Sequence, residues 1–170
     1  MKSVKGLLVA TLLTLLIVSV ASAAPDGFRL SAPLTARAVA VGRDPAMTVH
    51  CARTTAVWRQ TVDANGPNTL GRSVGGLADR AAKELWLPPR GCQPLERWLQ
   101  GKRVDMQVLS YALFVIAHET GHIVLNRADE PSANCYATNK YTEVALAFGV
   151  KSTVTLQRLR NDAPLIPFLC

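Results

Sequence analysis

The chain has 170 residues, 49% of them hydrophobic and 6% aromatic, with 19 basic against 12 acidic side chains and a formal net charge of +7. An excess of positive charge could suit nucleic acid or an anionic cell envelope, but the charges are scattered, no basic run occurs and no aromatics interleave with them. A solvated basic surface is the reading that remains, with no nucleic-acid partner. There is also no internal repeat and no nucleotide-binding glycine motif.

Met1 to Ala23 reads as a secretory signal peptide. Lys2 and Lys5 form the basic start, Gly6 to Val20 the apolar stretch, and Ala21-Ser22-Ala23 an A-x-A cleavage site before Ala24. The competing reading is an uncleaved membrane anchor; an apolar stretch of about 15 residues is short of the roughly 20 that a span needs. Cleavage leaves a secreted chain of 147 residues with 17 basic against 12 acidic side chains, net +5, and no stable membrane span. That length is enough for one domain with its own core.

Residues 24–46, punctuated by Pro25, Pro33, Gly42 and Pro45, read as an N-terminal arm or linker ahead of a domain at 47–170. All four cysteines, Cys51, Cys92, Cys135 and Cys170, follow the cleavage point. An even count in an exported chain predicts two disulfides; three connectivities are possible, and sequential pairing, Cys51–Cys92 with Cys135–Cys170, is the simplest. The rival reading, cysteines binding zinc with His50, lacks any C-x-x-C pair.

Cys51 to Val62 is ambiguous between strand and helix. Asn65-Gly66-Pro67-Asn68 is a turn signal, and Gly71, Gly75 and Gly76 keep the next segment irregular, a hairpin being one option. Glu84 to Leu87 reads as a short strand stopped by Pro88, Pro89 and Gly91, and Gln93 to Gln100 as a short helical turn.

The richest stretch follows. Val108, Leu109, Ala112, Leu113, Val115, Ile116 and Ala117 predict a buried helix over 104–126, with Asp105 as its cap and Asn126 suited to the left-handed residue that ends it. This helix carries His118-Glu119-Thr120-Gly121-His122, the H-E-x-x-H pattern. Residues four apart lie on one helical face, so both imidazoles can point at one metal ion while Glu119 stands beside them. Random placement of the chain's three histidines and five glutamates would yield about 0.0015 such matches. Gly121 costs about 1 kcal/mol in a helix relative to alanine, which predicts something passing close to the backbone there.

A third ligand is expected from a carboxylate: Asp129, Glu130 and Glu143 are the candidates. A single continuous helix would carry Glu130 about 12 Å beyond His122, so the chain must turn at 126–129. Pro131 fits the start of a second helix running to Phe148, with Glu130 at its mouth facing back and Glu143 solvated. Glu130 is therefore the predicted third ligand. Glu130, Asn134, Ala137 and Tyr141 would share the face toward the metal. Tyr136 or Tyr141 is a candidate oxyanion donor, though buried tyrosines usually serve packing. Gly149 ends this helix, Ser152 caps a last one through Arg160, and Asn161 to Cys170 is a tail pinned by Cys170.

The two motifs together, His118-Glu119-x-Gly121-His122 and Glu130-x-x-Ala133-Asn134-Cys135-Tyr136-Ala137, resemble the gluzincin type of zinc metallopeptidase, and most closely its small secreted bacterial families. The resemblance covers 104–150, about a third of the mature chain. It implies an α+β fold: a small zincin-like domain with the H-E-x-x-H helix, a second ligand-bearing helix and a small sheet. By resemblance Zn2+ would be held by His118, His122 and Glu130, with Glu119 as catalytic base acting on a zinc-activated water. Asn134, where related motifs often carry an acid, would orient a histidine, and Glu84 to Leu87 would be an edge strand pairing with extended substrate. The implied activity is hydrolysis of peptide or protein substrates. The alternatives are an exported, disulfide-bonded zinc-binding protein without catalytic activity and an amidase directed at cell wall.

Overall fold

A computed structural model describes residues 26–64, 75–163 and 170. The predicted signal peptide and the turn at 65–68 lie outside them. Within them the protein is α+β, with six helices and one four-stranded mixed sheet.

The chain enters as strand β1 (Phe28–Leu30), helix α1 (Ala32–Gly42), strand β2 (Thr48–Ala52) and helix α2 (Thr55–Ala64). The expected arm at 24–46 is thus corrected: it carries the first strand and helix, and Leu34, Ala38 and Val41 of α1 are buried in the main core. Proline and glycine misled here because Pro33 sits in the first turn of α1, where its fixed φ is tolerated and its missing N–H costs nothing. The ambiguous stretch from Cys51 resolves into both alternatives, the end of β2 and then α2.

Strands β3 (Leu77–Asp79) and β4 (Glu84–Leu87) form an antiparallel hairpin, and β4 also pairs in parallel with β2. The sheet order is β1-β2-β4-β3. Glu84 to Leu87 is therefore an interior strand, hydrogen-bonded on both sides, and cannot be the free edge expected of it. Among the described residues the edge on that side is β3.

The period-two alternation of strand side chains decides what each face of the sheet does. Val49, Cys51, Leu85 and Leu87 join the helical core, whereas Phe28, Ala52 and Trp58 form a separate cluster on the other face with Trp86 packed against it. His50 lies on that second face, buried, stacked on Trp86 at 4.9 Å between centroids. Its Nε2 stands 3.2 Å from Thr48 Oγ1.

Helix α3 (Pro89–Leu99) leads to α4 (Met106–Leu125), α5 (Glu130–Ala147) and α6 (Thr153–Asp162). By length and composition alone α4 could cross a membrane, but 72% of its apolar window is buried inside the protein. It is the central post, with α1, α3, α5, α6 and β3 all packed on it. Asp105 caps it, accepting bonds from the Gln107 and Val108 amides at 2.9 and 3.0 Å. Ser152 caps α6 in the same way.

Two covalent ties hold these layers together. Cys51–Cys92 joins β2 to α3 and Cys135–Cys170 joins α5 to the C-terminus, so the sequential pairing is the one formed and no thiol is left to bind metal with His50. A third link is polar: Arg29 of β1 makes a two-pronged ion pair with Glu96 of α3, which also accepts from Ser31 at 2.7 Å.

Candidate metal centre

His118 and His122 stand one turn apart on α4, and their Nε2 atoms approach to 3.1 Å. The helix ends four residues later because Asn126 takes the left-handed conformation, φ 51. Its amide donates to Ile123 O and the amide of Arg127 to His122 O, a Schellman closure that reverses the chain. Asp129 then caps α5 by accepting from Ser132 N at 2.9 Å, and Pro131 occupies its first turn. The helix begins at Glu130, one residue before Pro131.

That turn swings Glu130 back over the histidines. Its Oε2 lies 3.0 Å from His118 Nε2 and its Oε1 3.6 Å from His122 Nε2. The structure thus brings His118, His122 and Glu130 together, and leaves out Asp129, which caps the helix, and Glu143, which pairs with Lys140 on the surface.

Both rings are anchored from behind. His118 Nδ1 bonds Asn134 Oδ1 at 2.9 Å, and His122 Nδ1 bonds the carbonyl oxygen of Arg127 at 2.8 Å. Because both oxygens accept, each Nδ1 carries the hydrogen, and in the neutral tautomer each Nε2 presents a lone pair. Burial, reinforced by His122, holds the His118 imidazole below its usual range despite the pull of Glu130 and Asn134. Two lone pairs and a carboxylate facing one another at 3.0–3.6 Å repel unless a proton or a metal cation is shared among them. A tetrahedral zinc with N and O ligands separates them by about 3.3–3.6 Å; the donor set suits such an ion in chemistry, and its spacing matches at 3.6 Å and is tighter at 3.0 and 3.1 Å.

Glu119 is the fourth member. Its carboxylate and the histidine nitrogens lie within 4.8 Å of one another. Burial first, then the charge of Glu130, pushes this carboxyl up to about 8. Of the two acids, Glu130 is the one whose two oxygens approach both Nε2 atoms, while Glu119 is packed beneath Gly76.

Two expectations about the second helix divide. Glu130 and Asn134 do face the pair, whereas Tyr141 does not: its hydroxyl bonds Ser110 Oγ at 2.8 Å, two turns before the motif, and burial pushes it up to about 12. Tyr136 accounts for Gly121 instead, because a Cβ there would stand 3.0 Å from Tyr136 Cβ. Sequence reasoning missed the Arg127 carbonyl and Gly76. The first is a backbone group with no signature, and the second had only a glycine pair to mark it. No family model, no curated protein and no solved structure matches this chain.

Proposed function

We propose that this chain is a zinc-dependent hydrolase, a gluzincin-like metallopeptidase acting on peptide or protein substrates. The observation that carries the reading is the convergence of two anchored imidazole lone pairs and the Glu130 carboxylate, with the buried Glu119 carboxyl beside them. His118, His122 and Glu130 would hold zinc. The metal would supply Lewis acidity, polarising a carbonyl and lowering the pKa of water.

The chain's own part is proton handling and orientation. Glu119 takes a proton from the attacking water and delivers it to the departing amine, base and then acid. A carboxyl whose affinity for protons is raised by burial is suited to that exchange. Asn134 and the Arg127 carbonyl fix ring tautomer and direction, so neither imidazole has to reorganise. Strand β3, paired on one side only among the described residues, runs along α4, with Gly76 against Glu119 and Arg80 reaching the Asn126 carbonyl. Its free edge is the better candidate than β4 for pairing with an extended peptide.

The test is zinc content and peptide cleavage in one preparation. Wild-type protein is expected to hold one equivalent of zinc and to cleave members of a mixed peptide library. Glu119→Gln is expected to keep the zinc and lose turnover by about 100-fold or more. Unchanged turnover would remove Glu119 from its role. Zinc without cleavage of any peptide would favour a binding protein.

A further inference from the structure

Gly75 and Gly76 precede β3 and lie directly on α4. A side-chain carbon at Gly75 would meet Val115 and the Tyr111 hydroxyl; one at Gly76 would stand 2.6 Å from Glu119 Cγ, 2.7 Å from its Oε1 and 2.9 Å from its Cδ. No carbon fits at such distances, so a side chain at 76 requires the Glu119 side chain or the backbone at 76 to shift. Glu119 is 5% exposed, and its stem is held to the few rotamers a helix allows. Movement of Glu119 therefore changes where its carboxyl stands relative to the histidine nitrogens.

Conformation does not explain the glycine. Among the described residues the glycines with positive φ are Gly27, Gly101 and Gly149, and Gly76 is not one of them. An alanine at 76 would meet no backbone strain. What it would meet is Glu119.

We infer that Gly76 is a positioning residue for Glu119: the bare backbone at 76 forms the slot in which the carboxyl is held beside His118 and His122. The inference rests on the reading of Glu119 as proton carrier. It also explains why the chain approaches α4 as two glycines where β3 begins. With no side chains between them, strand backbone and helix come close enough to cover the carboxyl.

Two measurements on the full chain decide it. In Gly76→Ala, zinc content is expected to stay at one equivalent, because all three ligands are intact. Its kcat on a peptide that wild type cleaves should fall about 100-fold with KM unchanged, as befits a displaced group that does not bind substrate. In chelator, Gly76→Ala should lower Tm in the wild-type background and leave it unchanged in a Glu119→Ala background, where the contact is gone. Equal losses of Tm in the two backgrounds, or an undiminished kcat, would overturn the assignment. Should Gly76→Ala alone fail to fold, normal folding of Gly76→Ala/Glu119→Ala supports the contact and failure of both refutes it. If wild type cleaves no peptide, the hydrolase reading falls, and the Tm comparison still judges the pairing of 76 with 119.

Discussion

At the scale of single residues, the quality of the proposed zinc site depends on groups that do not touch the ion. Asn134 holds His118 through its side-chain oxygen, whereas His122 is held by a main-chain oxygen that no substitution removes directly. Asn134→Ala is therefore expected to free one ring only and to weaken zinc binding by about 10–100-fold, measured by competition with a chromophoric chelator. Asn134→Asp should keep the bond and add charge, so its affinity should equal or exceed that of wild type. Glu119 adds a pH dependence. Its carboxyl is raised from 4.5 to about 8, first by burial and then by Glu130. A group raised on folding contributes stability that is complete below its unfolded value and lost as pH climbs through its folded one. Metal-free protein should thus lose stability between about pH 4.5 and 8 by denaturant titration, and Glu119→Gln should be flatter across that window.

At the scale of elements, the two helices that carry the candidate ligands matter less than the four residues between them. Asn126, left-handed at φ 51, turns the chain so that Arg127 bonds His122 twice, through its amide to the main chain and through its carbonyl to the ring. Asn126→Gly should be tolerated, since glycine adopts that conformation without strain. Asn126→Val should cost about 1–3 kcal/mol of stability and loosen His122, seen as a lower Tm together with weaker zinc binding. Both helices, the caps of the first and the turn were legible in the sequence because helical period and capping chemistry are local, whereas Asp129, read as a candidate ligand, is the cap of α5. The strands were not read as well. Nothing local distinguishes Glu84 to Leu87 as an interior strand from an edge strand, because that depends on β2, more than 30 residues earlier in the chain.

At the scale of the whole molecule, α4 is the buried post and the sheet and outer helices are tied around it by two disulfides. Cys51–Cys92 closes a separation of 41 residues and Cys135–Cys170 one of 35. Each removal, as a Ser pair, should cost about 2–5 kcal/mol, read from denaturation midpoints with and without reductant. Removing Cys135–Cys170 should disturb α5, next to Asn134, and so weaken zinc binding more than removing Cys51–Cys92. What the sequence determined by itself was the chemistry on offer: two histidines and a glutamate at a spacing that a helix converts into one face, a turn, and a carboxylate at the next helix's mouth. These are short-range consequences of backbone geometry. Tertiary structure alone decided that residues 28–42 belong to the core, that β3 and not β4 lies at the sheet's edge beside α4, and that Gly76 meets Glu119. Each of those facts joins segments far apart in the chain, and only the packing of sheet on helix brings them into contact.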